Sequence, residues 1–172
     1  KLFDKWLEGD RLETLMQRDM TVVKLTAIPW IEQLLKKNGN LFDDHDIALA
    51  PMDTDISIHA DPDMLEIAIL NLLENACKYS PPGSRIVISA VSDHQFSGIS
   101  VTDEGIGISE SHQAEIFDDY VRIENPIQPG LGLGLAFVKR IMQAHAGHVS
   151  VTSAPGLGSS FTLFFPQPRH RQ

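Results

Sequence analysis

The sequence has one cysteine, Cys77, in 172 residues, which excludes an internal disulfide and fits a reducing compartment. No apolar run approaches the roughly 18 residues of a membrane-spanning helix, and no basic-then-apolar signal segment opens the chain. Basic residues are scarce: Lys and Arg number 14 against 23 Asp and Glu, a net charge of −9. A surface that acidic repels a nucleic-acid backbone, and no Lys/Arg stripe offsets it, so no nucleic-acid partner is expected. The seven histidines are scattered; only His145 and His148 stand close, with no thiol or carboxylate at zinc-ligand spacing. What remains, 42% hydrophobic and 22% charged, suits one folded domain or a domain with a helical appendage. The first residue is Lys1 rather than Met, so a piece of a longer protein is expected.

Residues 1–19 carry Phe3, Trp6, Leu7, Leu12, Leu15 and Met16 at helical spacing, interrupted by Gly9-Asp10. A strand-like run from Thr21 to Leu25 precedes a helical pattern from Ile28 to Lys37, which Asn38-Gly39-Asn40 closes. Short strands are expected at Ile47–Leu49 and Ile56–His59, with a turn over Pro51 to Asp55. The longest helix signal starts at Asp61, an N-cap residue followed by Pro62, and runs to Tyr79 before Ser80-Pro81-Pro82-Gly83. Alternation predicts strands over Arg85–Val91 and Ser97–Thr102, and Ser109 caps a short helix reaching Ile116. A Pro/Gly-rich loop leads to a helix from Leu133 to His145, then to a hairpin of Val149–Thr152 and Ser160–Phe165. Such mixing predicts an α+β two-layer sandwich, helices on one face of a mixed, largely antiparallel sheet.

Three constellations carry chemistry. In the run from Asn71 to Tyr79, offsets of four and three put Asn71, Asn75 and Lys78 on one helix stripe. Leu65, Ile69, Leu72 and Ala76 form the apolar stripe beside it. Either the amides satisfy nearby backbone and Lys78 snorkels to water, or the carboxamide oxygens serve Mg²⁺ and Lys78 a phosphate. Asp103 to Gly107 (D-E-G-I-G) ends a strand: its carboxylate can accept from an exocyclic amine, and its glycines admit a flat ligand. Alone it also reads as an ordinary Asp/Gly turn. Gly130 to Leu135 (G-L-G-L-G-L) stands before a helix, where backbone N–H groups and the helix dipole suit an oligophosphate; a flexible hinge is the plainer reading.

In this order and spacing, the three runs resemble the ATP-binding catalytic domain of bacterial two-component sensor histidine kinases, within the GHKL ATPase superfamily. Asn71–Tyr79 is similar to the N box, Asp103–Gly107 to the first glycine box, Phe117–Arg122 to the F-box region and Gly130–Leu135 to the second glycine box. Ala136–Val149 and Pro155–Leu163 match as well. The resemblance implies the two-layer sandwich of the GHKL (Bergerat) type, with ATP and Mg²⁺ as cofactors. It implies Asn75 as the metal ligand, Asn71 supporting the phosphates or the metal's water shell, and Lys78 at the phosphates. Tyr79 would pack near the adenine or ribose, and Asp103 would take the adenine amino group. Gly105 and Gly107 would shape the base pocket, Arg122 would contact phosphate from the lid, and Gly130, Gly132 and Gly134, with Leu135 after them, would form the lid loop. Arg122 is the one candidate for a catalytic role.

The sequence departs from the family at Tyr120, where a second Phe is usual, and at Leu131, where Thr or Ser is frequent. The segment from Ile123 to Pro129 is short and carries two prolines. Self-contained ATPases of the superfamily carry Glu one turn before the metal Asn to activate water; here that position is Asn71, which favours phosphoryl transfer to a separate histidine over hydrolysis. None of the histidines has the phosphoacceptor context, and His145 and His148 read as structural. Residues 1–19 are therefore expected to be a helical remnant or linker from the dimerisation and phosphotransfer domain, 20–168 the ATP-binding domain and 169–172 a disordered tail. The implied partners are a histidine-bearing dimerisation domain of the full-length chain and a response regulator. The chain itself is expected to be a monomer, the full protein a homodimer. The implied location is cytoplasmic, in a parent anchored at the inner membrane. The rival readings are a degenerate nucleotide-binding docking module and a stand-alone GHKL ATPase.

Overall fold

The computed structural model describes residues 2–51, 56–118 and 133–168. Its elements in order are α1 (Leu2–Gln17), β1 (Val23–Thr26), α2 (Ala27–Asn38), β2 (Asp46–Leu49), β3 (Ser57–Ala60) and α3 (Pro62–Tyr79). They continue as β4 (Arg85–Ser92), β5 (Phe96–Asp103), α4 (Glu110–Gln113), α5 (Gly134–Ala144), β6 (His148–Ser153) and β7 (Ser159–Pro166). One five-stranded sheet runs in the order β2-β4-β5-β7-β6; only β2 and β4 are parallel. β1 and β3 form a separate antiparallel ribbon. The expected sandwich is therefore present, its sheet mixed and mostly antiparallel.

Alternation places the strands. Ile86 and Ile88 of β4, Ile99 and Val101 of β5, and Phe161, Leu163 and Phe165 of β7 are buried beneath the helices. On the other face, Thr102, Ser160, Ser100 and Thr162 join in a hydroxyl ladder with separations of 2.8 to 3.0 Å, which satisfies that surface without apolar cover. At the β4–β5 turn, Asp93 Oδ1 accepts from the N–H groups of Gln95 and Phe96, which holds its carboxyl below the ordinary value.

α3 is the central helix. The expected stripe of Leu65, Ile69, Leu72 and Ala76 is buried, and so are Met64, Ile67, Ala68 and Leu73, because α1, α2 and α5 cover what the sheet does not. Its N-cap is Asp61, whose Oδ1 accepts from Asp63 N and Met64 N, and its first residue is Pro62, as the sequence predicts.

Three local expectations shift. α1 runs unbroken through Gly9-Asp10, because burial of Leu12 against the domain offsets the glycine's cost of about 1 kcal/mol. α4 stops at Gln113 rather than Ile116, and the Ser109 hydroxyl binds Ser111 and His112 instead of capping backbone. Of the expected turn at Pro51 to Asp55, residues 52–55 lie outside the described residues, as does the tail at 169–172.

Candidate functional site

The site candidates gather along the second half of α3 and beyond its C-terminal end. Asn71 is buried, and its Nδ2 donates to Ile67 O at 2.8 Å. Gly134, the first residue of α5, lies directly over it: a Cβ there would stand 2.6 Å from Asn71 Oδ1. The N-terminus of α5, the positive end of its dipole, thus adjoins the N-box amide. One turn on, Asn75 is half-buried and its side chain makes no hydrogen bond among the described residues. Lys78 and Tyr79 follow, the Lys78 Nζ 4.8 Å above the Tyr79 ring. Glu74 is exposed and stands about 100° round the helix from Asn75. Burial, with Glu74 and Asp44 adding to it, pushes the Cys77 thiol up to about 11, so it stays protonated and unreactive.

At the other end stands Asp103, the last residue of β5, 7% exposed. Its Oδ1 accepts from Gly105 N at 2.8 Å and from Ser159 N at 3.2 Å, and no hydrogen bond from the described residues reaches Oδ2. Burial raises its pKa above the ordinary carboxylate value, although the two N–H groups oppose this. The loop after it is bolted on both sides. Ile106 N donates to Tyr79 O at the end of α3, and Ile106 O accepts from Gly156 N in the β6–β7 turn. Ile108 N donates to Ser153 Oγ at 2.8 Å, and Gln113 Nε2 donates to Ile108 O and Ser153 O.

Gly105 is fitted against Tyr79 O, where a Cβ would approach to 2.6 Å. Gly107, at φ +69, lies on the Ala154 carbonyl and so serves the junction between loop and hairpin. Leu135 packs against the core. Arg122, Gly130 and Gly132, with Tyr120 and Leu131, lie outside the described residues.

Two contributors escaped the sequence reading. Ser159 N–H, brought in by the β5–β7 ladder, has no local signal, since any residue supplies one. Ser80 was visible only as a helix stop, yet its buried hydroxyl stands near enough to Asp103 to favour its charge, without a hydrogen bond among the described residues. His145 is buried and structural, as expected: its Nδ1–H donates to Ile141 O and its Nε2 accepts from Asp61 N.

A helix layer on one face of a mixed sheet, with amides along the central helix and a buried carboxylate at its end, defines a two-layer α/β domain. Residues 60–169 match the family described as histidine kinase-, DNA gyrase B-, and HSP90-like ATPase, and the chain belongs to that family. It is 41% identical over 116 residues to the adaptive-response sensory kinase SasA of Synechococcus elongatus, covering 66% of this chain and 30% of SasA. Among solved structures it resembles the mycobacterial sensor histidine kinase MprB, at 27% identity and TM-score 0.72, over 85% of this chain and 97% of that one. It also resembles full-length ShkA in complex with AMPPNP, at 26% identity and TM-score 0.74, over 93% of this chain and 34% of ShkA. The chain thus spans between 15% and 37% of the length of the curated relatives it matches.

Proposed function

We propose that the chain binds Mg-ATP and donates the γ-phosphoryl group to a histidine of a dimerisation domain, as the catalytic domain of a two-component sensor histidine kinase. The observation that carries this reading is the polar line along α3. From Asn71, under the N-terminus of α5, to Tyr79, beside the Asp103 loop, the helix rises about 12 Å. A nucleoside triphosphate fits such a line with its base at Asp103 and its phosphates at the helix dipole. Asp103 Oδ2 takes the exocyclic amine. Asn71 and Lys78 steady the phosphates, and Tyr79 covers base or ribose. Gly105, Gly107, Gly134 and Leu135 shape the walls, and Arg122, Gly130 and Gly132 supply the lid by family likeness.

The half-buried Asn75 amide, without a hydrogen-bond partner among the described residues, fits Mg²⁺: its oxygen is a hard neutral donor, and the phosphates bring the charge. The ion, when bound, supplies charge neutralisation on the β- and γ-phosphates. The remaining work is alignment. An imidazole lone pair attacks phosphorus without a base to activate it, so a site with Asn71 where a water-activating acid would stand suits transfer rather than hydrolysis.

Residues 1–19 belong in this reading to the helical hairpin of the dimerisation domain, and 20–168 form the catalytic domain. The partners are that hairpin's histidine and a response regulator; this chain alone is a monomer, the full protein a homodimer. No helix among the described residues is long and apolar enough to cross a membrane. An inner-membrane anchor belongs to the parent protein, with this domain in the cytoplasm.

Calorimetric titration with ATP, and with GTP as control, tests the reading with and without Mg²⁺. The expected result is selective ATP binding strengthened by Mg²⁺, a dependence that Asn75→Ala removes, and phosphoryl transfer to a histidine hairpin supplied in trans. Binding without transfer would make the chain a docking module, and rapid phosphate release would make it a hydrolase.

A further inference from the structure

Ser80 ends α3, its N–H donating to Ala76 O at 3.1 Å and its φ of −102° and ψ of 151° turning the chain out of the helix. The residue is 8% exposed, and its Oγ is buried with no hydrogen-bond partner among the described residues. Folded proteins seldom leave a buried hydroxyl unpaired, and where they do the group calls for an explanation. The neighbourhood supplies one. Ser80 stands beside the Asp103 carboxyl, and the two backbone donors there both go to Oδ1. Next to Ser80, the Tyr79 carbonyl holds the Asp103–Gly107 loop through Ile106 N. An ionised carboxylate only accepts hydrogen bonds, whereas a hydroxyl also donates. The same end of the site therefore offers an acceptor and a donor side by side. The edge of adenine offers the complement, its 6-amino group donating and N1 accepting; a 6-oxo purine presents the reverse.

We propose that Ser80 is a specificity-determining residue of the base pocket, its hydroxyl donating to N1 of the purine, directly or through one water, while Asp103 accepts from the 6-amino group. This rests on the placement of the base at Asp103 proposed above. Ser80 then selects 6-amino over 6-oxo purines jointly with Asp103, since N1 of a 6-oxo purine carries a hydrogen and has no lone pair to accept with.

The test compares ATP with 1-deaza-ATP, in which N1 is replaced by C–H, by calorimetry on the whole chain. Wild type should bind 1-deaza-ATP about three- to ten-fold more weakly than ATP, the worth of one neutral hydrogen bond. Ser80→Ala should weaken ATP by the same factor and no longer distinguish the two ligands, and Ser80→Thr should restore the difference. Should the alanine variant not fold, Ser80→Cys, nearly isosteric and a poor donor, carries the same comparison. The proposal is overturned if wild type binds both ligands equally, or if Ser80→Ala keeps the full ratio. Asp103→Ala separates the two levels. If that variant still prefers ATP over inosine triphosphate as wild type does, the base placement itself is wrong; if it loses the preference while Ser80→Ala changes nothing, only the role of Ser80 falls.

Discussion

Asp103 is a carboxylate kept where a carboxylate is costly. Burial raises its pKa, and the N–H groups of Gly105 and Ser159 with the nearby Ser80 hydroxyl recover only part of the loss. A group with a raised folded-state pKa contributes stability below its unfolded value, 3.8, and loses it as the pH rises through the folded value. At neutral pH its charge is therefore a burden on the fold, and the proposed role in binding the base accounts for its retention. Asp103→Asn keeps an oxygen for the two N–H groups and removes the charge, so its melting temperature at pH 7 should equal or exceed that of wild type. The same change should reduce the preference for ATP over GTP by roughly 10- to 100-fold, the worth of a hydrogen bond to a charged group. In wild type that preference should narrow as the pH falls, and at a higher pH than an ordinary aspartate would give. The ratio of the two affinities is the quantity to follow, because protonation of the phosphates cancels in it. A preference that is flat with pH would remove Asp103 from base recognition.

At the next scale, α3 and α5 are locked at a joint that the chemistry does not use. Asp61, fully buried, caps α3, accepts Thr21 N at 2.8 Å and holds the Arg18 guanidinium at 2.9 Å. Burial acts to raise its pKa, but the N–H groups of Thr21, Met64 and Asp63 and the charge of Arg18 outweigh it and hold the carboxyl below 3.8. Its own N–H donates to His145 Nε2 at the end of α5, whose ring meets Phe165 edge-on at 5.4 Å. Burial lowers the His145 pKa below 6.5, against the opposing pull of the Ile141 carbonyl and Asp61. A depressed value means stability that is complete above 6.5 and is lost as the pH falls toward the folded-state value. Melting temperatures taken between pH 7 and 4.5 should fall in wild type and be flatter in His145→Gln, which can still accept from Asp61 and donate to Ile141. Parallel profiles would show that the acid sensitivity lies elsewhere. The sequence announced α3 itself, because Asp61-Pro62 and Ser80-Pro81-Pro82 are local signals. It could not announce the Asp61–His145 bond, which spans 84 positions and has no periodicity. For the same reason Asn71, Asn75 and Asp103 were legible, while Ser80 became meaningful only once β5 had been laid against the end of α3.

For the whole molecule the open question is how firmly α1 belongs to the domain. The Gly9-Asp10 step suggested a break, and what the sequence could not weigh was the surface available on α3 and α5 to compensate for it. Leu12 is fully buried there, Leu15 and Met16 pack beside it, and Glu13 meets Arg140 of α5 at 2.6 Å. The ion pair is half exposed on both sides, and such pairs contribute about 0–1 kcal/mol. Truncating a fully buried leucine removes about 2–5 kcal/mol, less where the site can collapse. The seat of α1 should accordingly be apolar in origin: Leu12→Ala should lower the unfolding free energy by about 2–4 kcal/mol, and Arg140→Ala by less than about 1 kcal/mol. Denaturant melts of the two variants give these numbers directly. Hydrogen exchange then distinguishes a loosened helix from a weakened domain: in Leu12→Ala, amides of residues 10–17 should exchange faster while those of β4, β5 and β7 keep their protection relative to global unfolding. ATP affinity should stay within about two-fold of wild type, because burying Leu12 is not what holds Asn75 or Asp103 in place. A cost confined to Arg140→Ala would make the seat electrostatic and salt-sensitive. Loss of protection throughout the sheet in Leu12→Ala would instead make α1 an inseparable part of the core.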